Sequence, residues 1–408
     1  MTRVSNPLAE KAENRPKAHP LEIFAAFLRL GFTSFGGPVA HLGFFHEEFV
    51  VRRKWIEEDT YVDVVALSQF LPGPASSQVG FSIGLIRGGL AGGIAAWLGF
   101  TLPSAAAMIG FAYGLSAMGD FARTGWLHGL KVAAVAVVAQ AVWTMAAKLC
   151  PDRKRATLAL LAAIGVLAWP VAGSPLLAIA LGSIAGWWLY RKDAESRPAG
   201  HLPLMPGRSR AMVCLIFFFV LLAGLPVLER IFPGRAVASF ESFYHAGALV
   251  FGGGHVMLPL LQARVVSPGW VSNDQFLAGY GAAQALPGPL FTFAAYLGTV
   301  MHPAQNRWLG GVWCLLAIFL PSMLLVLGTL PFWDAFRRKQ WAQSGLKGAN
   351  AAVVGLLLAA LYQPVWTSGI HNAVEFIVGL AAFGLLMFWK CPPWLVVLLS
   401  AVAGFLFL

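Results

Sequence analysis

The chain is written twice, and both copies are broken at the same two places. "FLRLGFTSFGG" at 27–37 recurs as "FYHAGALVFGG" at 243–253, an offset of 216 residues. "WIEEDTYVDVVALSQFLPGP" at 55–74 recurs as "WVSNDQFLAGYGAAQALPGP" at 270–289, an offset of 215. "FTLPSA" at 100–105 is answered by "IFLPSM" at 318–323, and "GLKVAAVAVV" at 129–138 by "GLKGANAAVV" at 345–354. Blocks in one order at a near-constant offset mean two homologous halves, 21–192 and 236–408. A polar tail, 1–20, precedes them. A linker, 193–235, separates them and carries one apolar segment, 212–228, with no counterpart in the repeat. If each half crosses a membrane an even number of times, that odd segment inverts the second half. Inverted repeats hold their substrate sites at the repeat interface.

A membrane is the expected setting. Runs such as 158–189 and 349–361 have no charge, and about 20 apolar residues span a bilayer core of roughly 30 Å. Only 12% of residues are charged and 58% are hydrophobic, whereas a soluble chain carries about 25% charged. The expected fold class is therefore an all-α polytopic membrane protein of two inverted-topology repeats, some elements broken or re-entrant. Hydropathy gives about thirteen elements: 21–50, 61–86, 89–118, 124–147, 156–170 and 174–190, the lone 212–228, then 238–262, 272–301, 308–332, 344–362, 371–390 and 393–408. The polar start lacks the apolar core of a signal peptide, so the first hydrophobic segment is expected to serve as the targeting signal.

The net charge of +11 does not point to nucleic acid, because the positives cluster in loops between apolar segments, as topology selects them. With the N-terminus inside, "KLCPDRKR", the linker and "FRRKQ" fall inside, while the 363–372 loop and the C-terminus fall outside. One basic loop, "VRRKWIEED" at 51–59, violates the rule if its flanking elements both span. It obeys the rule if 21–50 and 61–86 re-enter. The hairpin reading is preferred for at least one of them, and parity survives if both span or both re-enter. The four cysteines, Cys150, Cys214, Cys314 and Cys391, have no metal-type spacing. They read as lone thiols, and no metal or cofactor is expected.

The breakers carry the functional reading. Irregular backbone at membrane depth is tolerated only where protein buries it or a wet cavity needs it. At Pro72-Gly73-Pro74 one half-helix stops and another starts at Ala75, Ser76, Ser77. A helix start offers free N–H groups and the positive end of a dipole, an anion site. Half two repeats this as Pro287-Gly288-Pro289, with Thr292 in the place of Ser77. Gly36-Gly37 and Gly252-Gly253 form the second pair of breaks, and Gln69 and Gln284 precede the two Pro-Gly-Pro turns. Cations at depth add to the inventory: Arg29 with its counterpart His245, and the pair Lys131 and Lys347. Carboxylates are scarce there, with Asp63 the main candidate, which favours an anion over a cation. Each feature also has a plain structural reading. Glycines let helices pack closely, long cations snorkel to headgroups, and His41 and His255 read first as polar lining. Asp59 and Asp274 are expected N-caps, and Trp55 and Trp270 suit the membrane interface.

"FLRLGFTSFGGPVAHLGFF", "LPGPASSQ" with its downstream "LPGP", and the duplicated build are similar to the chromate ion transporter superfamily, long-chain two-domain type. The resemblance covers nearly the whole chain. It implies a prokaryotic plasma-membrane protein that exports chromate and confers chromate resistance, and it implies no enzyme activity. Half two departs from half one at Gly254, where half one has Pro38, and at Phe291 instead of Ser76. The expected partners are chromate or the like-shaped sulfate, and lipid, with a second copy of the chain as a further candidate. An intramembrane enzyme would need clustered acids, a His/Asp pair or metal ligands at depth, and the spans offer none of these by spacing.

Overall fold

Proline and glycine cut the first apolar segments where the sequence places them. The computed structural model describes residues 18–117, 125–169, 174–191, 207–251, 254–301, 307–333 and 339–407, all helix, turn or coil with no strand among them. In half one, α1 (Pro20–Thr33) stops at Ser34, and α2 (Gly37–His46) starts after a left-handed Gly36 and runs into a π-helical turn. Next come α3 (Glu58–Phe70), the Pro-Gly-Pro turn, and α4 (Ala75–Ala117). At 1.5 Å per residue α4 would be about 65 Å long, twice a bilayer core. It is not straight, because Gly88 and Gly89 leave the helical region. Gly84 lies so close to the Gly92 carbonyl that a Cβ would sit 2.3 Å from it, so the chain doubles back there.

The contacts show that both broken segments re-enter. Ala18 N donates to Arg87 O at 3.0 Å, the Arg87 guanidinium lies 5.9 Å over the Trp55 ring, and Arg53 approaches Glu22 at 3.8 Å. The start of α1, the residues after α2 and the turn at Gly88 thus share one face, here face I. Deeper in, Phe27 of α1 stacks on Phe49 at 4.6 Å and meets Phe45 edge-on at 5.5 Å, while Gly80 abuts Phe27. The breaks at 34–36 and 72–74 are the tips. The basic loop at 51–59 therefore returns to the face it left, which removes the conflict with the charge rule.

Half two repeats the device with α9 (Arg235–Leu249), α10 (Met257–Val265), α11 (Asn273–Ala285) and α12 (Phe293–Met301). Its hairpins close where Arg235 Nη1 donates to Met301 O at 3.2 Å. Arg264 also grips Glu241 with Nη1 at 2.7 and 2.6 Å from the two carboxylate oxygens. These hairpins enter from the opposite side, face II. Residues 90–117 of α4 span about 42 Å and end there: Ser116 Oγ accepts from Arg307 at 2.9 Å, and Tyr113 OH accepts from Trp308 N at 3.2 Å. That is the start of α13 (Arg307–Thr329). Between the halves α8 (Arg208–Ile231) begins beside Gly328 at the end of α13 and anchors α9 through Tyr244 OH to Phe218 O, 3.0 Å. It is the odd crossing that inverts the second repeat.

The remaining helices are exchanged between halves. Half one adds α5 (Gly125–Leu149), α6 (Arg153–Ala168) and α7 (Ser174–Tyr190). Half two adds α14 (Gln340–Ala360), α15 (Ala373–Met387) and α16 (Pro393–Phe407). α5 packs on α15 and α16, and α14 packs on α6 and α7. Small residues permit this: Gly129 meets the Ser400 carbonyl, and Gly348 meets that of Gly182. Leu160, Ile164, Ile184, Phe219, Ile377 and Phe405 are exposed on the outer helices, the apolar surface that lipid covers. Among the described residues five helical stretches are long and apolar enough to cross a membrane.

Two local expectations are corrected. α11 is capped by Ser272, which forms a capping box with Gln275, and Glu57 holds the N-cap position of α3; Asp274 and Asp59 sit inside the first turns instead. Trp55 is buried, stacked on Phe49 at 5.0 Å with Arg53 and Arg87 over its ring, so it closes a hairpin and packs on protein instead of facing outward.

Candidate functional site

Interrupted backbone inside a membrane must find partners, and here each half supplies them to the other. Gly73 N donates to Val250 O at 2.7 Å, and Gly288 N donates to Ser34 O at 2.9 Å. Val250 and Ser34 are equivalent positions in the repeat, so the two bonds are mirror images. Both donors adopt positive φ, 120° and 89°, which only glycine does without strain. The Pro-Gly-Pro tip of each half thus docks on the glycine break of the other.

Beside the Gly288–Ser34 junction lies a cavity of about 350 Å³, within the range of small-ligand pockets. Half one lines it with Gly36, Gly37, Pro38, Val137 and Gln140; half two adds His255, Gln284, Gly288 and the turn Lys390 to Pro393. It reaches the surface at Lys390, which is exposed and holds φ 53°. Among the described residues its lining carries no carboxylate. α2 starts at Gly37 with no side-chain cap, so its first N–H groups and dipole end border the cavity. The Nε2 of Gln284 is buried there without a hydrogen-bond partner. Below it, His255 Nδ1 and Tyr280 OH are bonded at 2.7 Å, and Gln140 Nε2 donates to Leu386 O at 3.3 Å. Helix-end N–H groups, an idle amide donor and an ammonium make a site for an anion, since charge-assisted bonds to oxyanions are the strong ones.

The structure brings some of the expected residues together and scatters others. Gly36, Gly37, Gln284 and Gly288 line the cavity, and Pro287 and Pro289 flank it. Thr292 is buried, its hydroxyl donating to Pro289 O at 2.8 Å. In half one Gln78 Nε2 donates to Pro72 O at 2.7 Å and Gln78 N to Pro74 O at 2.9 Å. The Ser76 hydroxyl bonds His41 Nδ1 at 3.3 Å, while the Ser77 Oγ is buried without a partner. Gln69 is exposed at the end of α3, and Arg29 is exposed on α1; neither lines the cavity. His245 packs against the Glu241–Arg264 pair. Lys131 reaches Asp274 at 3.0 Å, and Lys347 lies 5.6 Å over the Tyr190 ring, so Lys131 ties α5 to α11 and Lys347 ties α14 to α7. Gly252 and Gly253 lie outside the described residues.

Two polar lining residues, Lys390 and Gln140, escape the sequence reading. Lys390 sits in "WKCPP" between the last two helices and reads as a loop charge; the double proline after it was the available signal of a fixed turn. Gln140 is a lone amide in an apolar run, which is itself a signal.

The Lys131–Asp274 bridge predicts a small effect. Asp274 is 72% exposed, and water-screened pairs contribute under about 1 kcal/mol. Lys131→Gln should leave transport within about twofold of the parent, and a double-mutant cycle with Asp274→Asn should give a coupling below about 1 kcal/mol. A larger loss of flux at equal protein level would place Lys131 on the substrate path.

A family model described as Chromate transporter matches residues 21–187 and 237–405. A "Probable chromate transport protein" of Synechococcus elongatus is 26% identical over 93% of this chain and 94% of its own length. A "Chromate transport protein" of Pseudomonas aeruginosa is 26% identical over 96% of this chain and 93% of its own. A shorter relative, "Uncharacterized transporter YwrA" of Bacillus subtilis, is 30% identical over 39% of this chain but 89% of its own length, so it is about one repeat long. No solved structure matches.

Proposed function

This chain belongs to the chromate transporter family, and on that premise we propose that it exports chromate from the cytoplasm through the cavity between its halves. The observation that carries this reading is the cavity itself: it lies at the repeat interface, its lining among the described residues holds no acid, and it gathers the α2 N-terminus, the buried Gln284 amide and Lys390. Chromate is a tetrahedral dianion, and convergent N–H, amide and ammonium donors suit four outward oxygens.

Loop charge supports the direction. Arg52, Arg53, Lys54, Arg153, Lys154 and Arg155 gather toward face I, so face I is cytoplasmic under the positive-inside rule. α15 ends and α16 begins at that face, and the cavity opens there beside Lys390. A cytoplasm-facing cavity is the state in which an exporter loads. The potential assists: about 2.3 kcal/mol per charge per 100 mV gives a departing dianion about 4.6 kcal/mol, enough for efflux without a coupling ion. Such efflux would confer chromate resistance. Alternating access follows from the repeat: if the halves exchange conformations, the Pro72–Pro74 tip and the half-two glycine break would form the mirror cavity toward face II.

The test uses everted membrane vesicles holding the full chain, an imposed lumen-positive potential, and radiolabelled chromate with and without excess sulfate. Chromate should accumulate, sulfate should compete poorly, and collapsing the pH gradient at clamped potential should leave the rate unchanged. Sulfate flux without chromate flux would overturn the substrate assignment. Dependence on the pH gradient would replace uniport with proton antiport.

A further inference from the structure

On face II, away from the cavity, three metal-capable side chains converge. His128 stands in the first turn of α5, in half one; His371 and Glu375 stand at the start of α15, in half two. One ligand atom from each lies within 4.8 Å of the other two. His128 Nε2 is 2.9 Å from Glu375 Oε1, and His371 Nδ1 is 3.3 Å from Glu375 Oε2. The imidazoles face each other with centroids 5.7 Å apart and planes at 34°.

The surroundings also fit a cation. His128 Nε2 is buried and stands 2.9 Å from Glu375 Oε1. Glu375 is held as a metal-binding carboxylate is: His371 N and Asn372 N both donate to its Oε2, and Asn372 caps α15 in return. Oε1 stays turned toward His128. Among the described residues Lys131 lies one turn from His128, and it pairs with Asp274 at 3.0 Å.

We propose that His128, His371 and Glu375 form a divalent transition-metal site, with Zn²⁺ the best fit, that ties the two halves together on face II. Two imidazoles and one carboxylate are a known zinc donor set that leaves a fourth position for water. Donors about 2.0–2.2 Å from zinc lie about 3.3 Å from each other, so the present spacing needs only small side-chain rotations. The nitrogen-rich set disfavours Mg²⁺ and Ca²⁺, which prefer oxygen ligands. Because α5 and α15 belong to different halves, a bound ion would clamp the repeat interface at the face opposite the cavity mouth.

The test is Zn²⁺ titration of the purified, untagged full chain in lipid nanodiscs, by calorimetry and thermal unfolding. The parent should bind one Zn²⁺ at micromolar or tighter affinity, gain thermal stability, and show no such response to Mg²⁺. Losing a ligand should weaken binding by about tenfold or more, since even the groups that merely orient metal ligands contribute 10–100-fold. His371→Ala is the safest variant, because its side chain is 54% exposed. His128→Gln probes the buried partner, and His46→Ala, at the separate His46–Glu58 contact, should bind like the parent. X-ray absorption should show only nitrogen and oxygen donors. No binding by the parent, equal binding by His371→Ala, or sulfur in the coordination shell would overturn the proposal.

Discussion

Replacing Gly348 with valine should abolish folded protein, with no monodisperse peak surviving detergent extraction. A Cβ at Gly348 would sit 2.0 Å from the Gly182 carbonyl and 2.6 Å from the Gly186 Cα. Both obstacles are backbone, so no rotamer change relieves them, and α14 would have to leave α7. Overpacking a well-filled interior costs about 1–3 kcal/mol even where side chains can move; here at least the top of that range is expected. The crossing of α5 and α16 should behave alike, because a Cβ at Gly129 would meet the Ser400 carbonyl at 2.1 Å. Gly165 supplies the control. It lies within α6 with nothing inside 4 Å, so Gly165→Ala should be neutral or stabilising by up to about 1 kcal/mol. A Gly348→Val protein that extracts and melts like the parent would mean that α7 and α14 do not cross there.

Those glycines also show what the sequence disclosed. The repeat, the breaks and the inversion were legible because breakers are rare in apolar helices and here recur with their flanks. That Gly73 and Gly288 carry positive φ follows from the turn they form. What the breaks bond to was not legible, since Gly73 reaches Val250 and Gly288 reaches Ser34 across more than 170 residues. The hairpins were half legible. A basic loop at 51–59 signalled a return to the starting face, but the closure runs through Ala18, Arg87 and Trp55, which no local pattern links.

The cations show the same boundary. Arg29 attracted notice as a charge in an apolar run, yet helical periodicity alone does not say whether one residue faces a neighbour or lipid. Its exposed position on α1 suits a side chain that reaches toward headgroups. Lys131 and Lys347 form a matched pair in the repeat, yet Lys131 joins α5 to α11 and Lys347 joins α14 to α7. Lys390, with no counterpart in the repeat blocks, is the cation beside the cavity. Duplication marks architecture well and substrate contacts less well, because two inverted halves in one conformation do not offer equal surfaces to one cavity.

That asymmetry sets the second large expectation, at Gln284. Gln284→Glu keeps the size of the side chain but puts a carboxylate where the idle Nε2 meets the cavity. A dianion would then face a like charge in place of a donor, and chromate flux should fall at least about 100-fold. A lost charge-assisted bond alone is worth about 1.5–3 kcal/mol, and every 1.4 kcal/mol is about tenfold. Lys390→Ala should therefore raise the half-saturating chromate concentration about tenfold or more, with Lys390→Arg largely retaining it. Expression and melting temperature must match the parent, since Gln284 also neighbours the Tyr280–His255 bond. Gln69→Glu separates the mechanisms. Gln69 is the repeat counterpart of Gln284 and lies outside the present cavity, so a fixed pore would tolerate the change. Exchange of conformations between the halves would bring Gln69 to the mirror cavity and make the loss comparable. Full flux in Gln284→Glu would move the substrate site away from this interface, whatever Gln69 does.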